Sequence, residues 1–320
     1  MRILIIKTSS LGDLVHMFPA VSDMHKSSPR ARIDWVAEES FAELPGWHPA
    51  VGRVIPVALR RWKHSPAGRV TWSELRASIA ALRRESYDLV IDAQGLLKSA
   101  LIARCGRGTR WGYDSRSIRE PLASLFYQRR AAVSLHQHAI MRNRLLCAQV
   151  LGYDITALPL DYGITLGAEV APSPLLRQPY IMAFHGTSRA DKEWPEQHWI
   201  AFARLLQQHQ LQMLLPWGSD AEKARAHRIA AAAENSVVLP RLTLTQIAVL
   251  IRDARGVIGV DTGLIHAAAA LKRPVMALYP ATRPELTGAL AQQGGAEVVN
   301  LAGADVANAD AVARRFLRMI

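Results

Sequence analysis

Apolar and polar positions alternate along this chain in two rounds of the same pattern: a short continuous apolar run, then a longer amphipathic stretch. Residues 2–7 (RILIIK), 33–37 (IDWVA) and 87–93 (YDLVIDA) are short, mostly apolar runs that read as strands of a parallel sheet. Between them, residues 11–26 put Leu14, Val15, Phe18, Val21 and Met24 on one helical stripe, and residues 72–84 form a second amphipathic helix. Residues 51–59 look strand-like and lead into a basic loop, Arg60-Arg61-Trp62-Lys63. Residues 94–99 turn into a further helix, 107–113 hold a short strand, and the helix over 137–151 stops at Gly152, a natural C-cap.

Residues 154–178 carry Pro159, Pro172 and Pro174 with little periodicity, and predict an interdomain linker. The alternation then restarts. Strands are expected at 180–185, 212–216, 236–239, 256–260 and 275–279, and helices at 195–209, 220–233, 244–254 and 264–271. A closing helix over 308–320 has Val312, Phe316 and Leu317 on one face. The pattern predicts an α/β protein of two Rossmann-like domains, residues 1–160 and 161–307, with helix 308–320 packing back on the first. Ligands of such sheets sit at the carboxyl ends of the strands, so two facing domains would enclose a cleft.

The charge sharpens this picture. The chain carries +12, and residues 1–160 hold 23 Lys and Arg against 13 Asp and Glu. The basic half predicts an acidic partner there, nucleic acid or anionic lipid. Cys105 and Cys147 form no CxxC and no Cys/His cluster, which argues against structural zinc and for a reducing compartment. The first apolar run stops at Lys7, too short for a signal peptide, and no apolar run is long enough to span a membrane.

Three turns carry candidate chemistry. In residues 256–271 (GVIGVDTGLIHAAAAL) a buried strand breaks at Asp261-Thr262-Gly263 and continues as an Ala-rich helix. The free N–H groups and dipole of that helix attract phosphate, Thr262 adds a hydroxyl, and His266 lies one turn on. The alternative is an ordinary turn with Asp261 as N-cap. After the strand at 180–185, Thr187, Ser188 and Lys192 offer two hydroxyls and a mobile cation to a diphosphate, and Glu222 stands where an acid can bind ribose. The first βα turn, residues 7–13, has one glycine where a dinucleotide dehydrogenase needs G-x-G-x-x-G. It carries Asp13 instead, a general base for an attacking hydroxyl or a helix-dipole acid. Arg60, Arg61 and Lys63, with the segment 116–127, supply cations for acidic groups, while Trp62 suits packing better than recognition.

The segments KTSSLGDLVHMFPA, YDLVIDAQGLLKSA, REPLASLFY, DKEWPEQHW, LPWGS and VDTGLIHAAAAL, in this order over nearly the whole chain, resemble glycosyltransferase family 9, the lipopolysaccharide heptosyltransferases. RRW and REPLASLFY are similar to the members that add the first inner-core heptose. The resemblance implies a GT-B fold and transfer of L-glycero-D-manno-heptose from ADP-heptose to the Kdo (3-deoxy-D-manno-oct-2-ulosonic acid) region of Kdo2-lipid A, with inversion. It implies Asp13 as catalytic base. Thr187, Ser188, Lys192, Glu222, Leu242, Asp261, Thr262, Gly263 and His266 would bind the donor, with Ser188 where a Thr is expected. Arg60, Arg61, Lys63 and Arg119 would bind the acceptor. No metal or cofactor is implied and no nucleic-acid partner; the enzyme would work in the cytoplasm on the inner face of the cytoplasmic membrane. The competing classes are a nucleotide-dependent oxidoreductase and a non-catalytic binder of acidic lipid or polymer.

Overall fold

The computed structural model describes residues 1–167, 178–187 and 189–320. Most of the C-terminal part of the expected linker, residues 168–177, and the expected site residue Ser188 lie outside the described residues. The chain divides into two compact units, Met1–Thr165 and Leu166–Ile320.

The first unit holds β1 (Arg2–Ile6), β2 (Arg32–Glu38), β3 (Val51–Val57), β4 (Ser86–Asp92), β5 (Arg107–Tyr113) and β6 (Arg129–Ala131), all parallel, in the order β3-β2-β1-β4-β5-β6. Its helices are α1 (Leu11–Val15), α2 (Phe18–Ser27), α3 (Leu59–His64), α4 (Arg69–Arg83), α5 (Leu97–Cys105) and α6 (Ala139–Leu151). The second unit holds β7 (Tyr180–Phe184), β8 (Gln212–Leu215), β9 (Ser236–Val238), β10 (Gly256–Val260), β11 (Val275–Tyr279) and β12 (Val298–Ala302) in the order β12-β11-β10-β7-β8-β9, also parallel. Its helices are α7 (Glu196–Gln208), α8 (Asp220–Ala231), α9 (Leu244–Asp253), α10 (Gly263–Ala270) and α11 (Ala309–Leu317).

Each unit therefore repeats the doubly wound order 3-2-1-4-5-6. The chain reverses direction across the sheet between β1 and β4, and again between β7 and β10, and these switch points leave a crevice at the strand carboxyl ends. The strands read as continuous apolar runs because helices cover both faces. In the second sheet Ile181, Ala183, Ile258, Val260, Met276 and Leu278 face Trp194, Trp199, Phe202 and Phe316. The alternate residues Met182, Phe184, Val257, Val275 and Ala277 face Leu250, Ile251, Ile265 and Ala268. Gly259 is demanded by packing: a Cβ there would stand 2.7 Å from that of Phe184 on the neighbouring strand.

The structure departs from the sequence pattern in four respects. The helix expected over 11–26 is two helices, because Pro19 has no N–H to continue the first and sits instead in the opening turn of α2. The expected basic loop at 60–63 is helix α3, wound around Trp62, which is buried among Leu4, Ile55, Val57 and Leu82. Strands β6 and β12 extend the sheet edges beyond the runs that the pattern marked. The C-terminal helix does not return to the first unit. Phe316 packs edge-to-face on Phe202 of α7 at 5.5 Å, and a Cβ at Gly256 would stand 3.0 Å from the Phe316 ring. Its apolar stripe completes the second core.

In the first unit, α2 and α6 are joined by a buried ion pair: Arg144 donates to both oxygens of Asp23 at 2.6 and 3.2 Å and to the Leu158 carbonyl at 2.7 Å. The side chains are 5 % and 1 % exposed. Removing one partner strands a buried charge. Arg144→Ala is expected to cost roughly 3–5 kcal/mol, seen as a fall in denaturant midpoint at unchanged m-value.

Candidate active site

The switch point of the first unit is built from the ends of β1 and β4. Ile6 is opposite Asp92, so Lys7 and Ala93 emerge side by side, and the Lys7 ammonium donates to the Ala93 carbonyl at 2.7 Å. The backbone N–H groups of Thr8 and Ser9 donate to Gln94 Oε1 at 3.0 and 3.2 Å. In a dinucleotide site these amides would face a pyrophosphate; a side chain occupies them here. Asp92 Oδ1 accepts the amides of Gln94 and Gly95, and Oδ2 accepts the Tyr127 hydroxyl at 2.7 Å, which fixes the β4 loop.

Asp13 lies in the first turn of α1. Its Oδ2 accepts the Ser10 amide at 2.6 Å, while Oδ1 has no hydrogen-bond partner among the described residues. One oxygen thus caps the start of α1, and the other is left without a hydrogen bond among the described residues. Burial depresses the pKa of Lys7, opposed by the charges of Asp13 and Asp92, while Arg142 and Arg119 push it the same way as burial. Lys7 and Arg142 are thus functional candidates that the sequence reading missed. Arg142 is carried by α6 and stacks 4.8 Å over the Tyr113 ring, from 29 positions further along the chain than that ring, and no local motif marks it.

Arg60, Lys63 and Arg119 are exposed. The Arg60 amide donates to Glu38 at the end of β2, and its guanidinium lies 5.0 Å over the Phe41 ring. Arg61 differs from its neighbours. It donates to both oxygens of Glu39 at 3.1 and 3.0 Å and to both of Glu74 at 3.0 and 2.8 Å. These bonds, first to Glu39 and then to Glu74, raise its pKa further above the usual arginine value. Arg61 is already doubly neutralised, and Arg60 and Lys63 are the cations that this helix offers. Trp62 donates its indole N–H to the same Glu74 at 2.8 Å.

The switch point of the second unit gathers Asp261 at the end of β10, the β7 loop and the β11 loop. Asp261 Oδ2 accepts from Lys192 at 2.7 Å and from Thr282 Oγ1 at 2.9 Å, and the Asp261 carbonyl accepts from Thr187 Oγ1 at 3.0 Å. Lys192 and Asp261 are each about one-fifth exposed. Lys192 spends one N–H on this bond and keeps two for a ligand. Thr262, not Asp261, is the N-cap of α10, and it makes no side-chain cap bond. The first turn of that helix therefore presents backbone amides and the positive end of its dipole. His266 is enclosed in the same helix, with 5 % exposure. His185, wholly buried at the end of β7, is held neutral: burial, then the Arg225 charge, push its pKa down to about 4. Thr282 is a further member that the sequence reading did not find.

Glu222 lies in the first turn of α8, where Oε2 accepts the amides of Gly218 and Ser219 at 2.6 and 3.2 Å. A Cβ at Gly186 would stand 2.6 Å from its Oε1, so Gly186 leaves the room in which this oxygen sits beside the β7 loop. Leu242 packs on the second core just before α9. Among the described residues no group of three or more His, Cys, Asp or Glu could hold a metal ion, and no helix is long and apolar enough to cross a membrane.

Two doubly wound units, one with an acid and cations at its switch point and one with a lysine, hydroxyls and an open helix N-terminus, place the chain in the class of two-domain α/β proteins suited to a nucleotide-diphosphate ligand. The comparisons with known proteins are specific. The model of glycosyltransferase family 9 (heptosyltransferase) matches residues 75–308, and the chain belongs to that family. It is 47% identical over 290 residues to lipopolysaccharide heptosyltransferase 1 of Pseudomonas aeruginosa, covering 90% of this chain and 81% of that protein. The solved E. coli heptosyltransferase WaaC with ADP superposes with a TM-score of 0.90 at 40% identity over the full length of both chains. WaaC with ADP-2-deoxy-2-fluoro heptose gives 0.87 at 39% identity, covering 99% of each. The fold is GT-B, and the chain is a glycosyltransferase of the heptosyltransferase family.

Proposed function

We propose that this enzyme transfers L-glycero-D-manno-heptose from ADP-heptose to the Kdo region of Kdo2-lipid A with inversion, adding the first heptose of the lipopolysaccharide inner core at the inner face of the cytoplasmic membrane. The observation that carries the reading is the Asp261 cluster. Lys192, Thr187 and Thr282 converge on one carboxylate and its backbone beside the open N-terminus of α10, an arrangement suited to a sugar diphosphate. Kinship with proteins named lipopolysaccharide heptosyltransferase 1, and likeness to WaaC structures bearing ADP and an ADP-heptose analogue, support the same donor.

In this reading Lys192, Thr262, Gly263 and the α10 dipole stabilise the charge that develops on the departing ADP. Thr187 and Thr282 hold the loop ends, Asp261 orients Lys192 and the sugar, and Glu222 takes the ribose hydroxyls through Oε1. Ser188, beyond the described residues, would add a hydroxyl to the diphosphate. Leu242 gives the adenine an apolar wall, and His266 backs the phosphate turn. Asp13 Oδ1 removes the proton from an acceptor hydroxyl. That oxygen attacks the anomeric carbon from the face opposite ADP, and the old carbon–oxygen bond breaks with its electron pair leaving on the diphosphate. One displacement inverts the centre. The acceptor is polyanionic, and Arg60, Lys63 and Arg119 are the exposed cations suited to it; Arg61 contributes by fixing the helix that carries Arg60 and Lys63.

Two expected outcomes test this. Asp13→Asn keeps the cap to Ser10 and removes the base, so kcat with ADP-heptose and Kdo2-lipid A should fall roughly 10²–10⁴-fold with donor affinity and melting temperature unchanged. A folded variant with near-wild-type kcat returns Asp13 to capping. On the acceptor side, Arg60→Ala with Lys63→Ala should raise acceptor KM and flatten its salt dependence, leaving donor KM in place, whereas Arg61→Ala should raise it less. Equal effects from all three positions contradict the distinction drawn between paired and unpaired cations.

A further inference from the structure

Soluble surfaces scatter their exposed leucines, but one face of the first unit collects them. Leu97 and Leu101 are one turn apart on α5 and are 37 % and 54 % exposed. Leu122 and Leu125 lie on the adjoining 3-10 turn Pro121–Phe126 and are 63 % and 69 % exposed. The two elements are pinned together: the Leu97 amide donates to Glu120 at 2.6 Å, and the Glu120 amide to the Gly95 carbonyl at 3.2 Å. The cores of both elements are satisfied, with Ala100, Ala103, Ala123 and Ser124 pointing inward, so the leucines are surplus to folding.

The surroundings are strongly basic. Residues 94–130 contain eight Lys and Arg against two acids, Asp114 and Glu120, half of the chain's net charge in 37 positions. Lys98, Arg104 and Arg129 are exposed and make no ion pair among the described residues. Arg130 donates to the Ser124 carbonyl at 2.8 Å, which holds it against the leucine turn. The two acids are engaged locally, Glu120 by the Leu97 amide and Asp114 by the Ser117 amide at 2.9 Å.

We infer that Leu97, Leu101, Leu122 and Leu125, ringed by these cations, form the surface on which the enzyme docks to an anionic lipid bilayer. Aliphatic side chains enter the acyl boundary and the arginines and lysine meet the headgroups, a division of labour that neither component achieves alone. The charge selects the occupant. A second copy would set like charge against like. Nucleic acid would call for exposed aromatic or polar side chains among the cations, and here Phe126 is half-buried and Tyr127 buried. The patch also grows directly from the β4 loop, whose Gln94 holds the Thr8 and Ser9 amides beside Asp13, so a lipid-borne acceptor would be delivered to that end of the sheet. This last step rests on the proposed lipid acceptor; the bilayer contact does not.

The test is flotation of the full chain with vesicles of equal phosphatidylethanolamine and phosphatidylglycerol, against vesicles of phosphatidylcholine, for wild type and for L101S/L122S/L125S. The wild type should float with the anionic vesicles only. The triple variant should bind at least about tenfold more weakly at an unchanged melting temperature. K98A/R129A should bind more weakly at low salt and lose salt dependence. With deacylated Kdo2-lipid A in solution, wild type and triple variant should turn over alike; no turnover by either would overturn the proposed acceptor while leaving the flotation result standing. Absence of wild-type binding, equal binding by the triple variant, or leucine-dependent dimerisation or RNA binding in place of vesicle binding would overturn the docking surface.

Discussion

The arrangement of both units depends on one topological constraint. In an all-parallel sheet wound 3-2-1-4-5-6, the connections leave the first strand on one face and the fourth on the other, so no helix covers the carboxyl ends between them. In the first unit those ends are β1 and β4; in the second they are β7 and β10. Every residue argued to touch substrate lies on a loop or helix start that follows a strand carboxyl end. The crevices are equivalent in backbone and opposite in chemistry. The first is closed to a diphosphate because Gln94 occupies the Thr8 and Ser9 amides. The second leaves the α10 amides open and brings a lysine to them.

Electrostatics then separates the two halves by pairing rather than by count. Lys192 is bonded to Asp261 but retains donors, which keeps a cation in place at the crevice without neutralising its capacity to bind. Arg61 is bonded through Nε, Nη1 and Nη2 to Glu39 and Glu74. Two basic residues adjacent in sequence, Arg60 and Arg61, thereby differ in their pairing.

The central strands of the second unit were legible in the sequence because burial on both faces leaves them wholly apolar, and the Asp261-Thr262-Gly263 turn was legible because a strand, a break and an Ala-rich helix follow one another locally. Asp13 was legible as an acid in place of a glycine motif. What stayed hidden is non-local. Thr282 matters only because β11 lies beside β10, and nothing in its own loop marks it. The engagement of Arg61 needs Glu39 and Glu74, 22 and 13 positions away, brought together by β2 and α4. Arg60 to Lys63 looked like a loop because the basic run masks a single inward Trp62. The stripe on the C-terminal helix showed that it needed a partner, but the expected partner was the first unit, whereas Phe316 packs on α7 of the second.

The cluster around Asp261 is where the donor reading is most exposed to test. Calorimetric titration of ADP-heptose into wild type and Lys192→Ala reads it directly. A charge-assisted bond to a diphosphate, at about 1.5–3 kcal/mol, corresponds to roughly a 10- to 150-fold loss of affinity in the variant. Wild-type affinity in a folded Lys192→Ala protein would remove the lysine from the donor site, and with it the assignment of the second switch point to the sugar diphosphate.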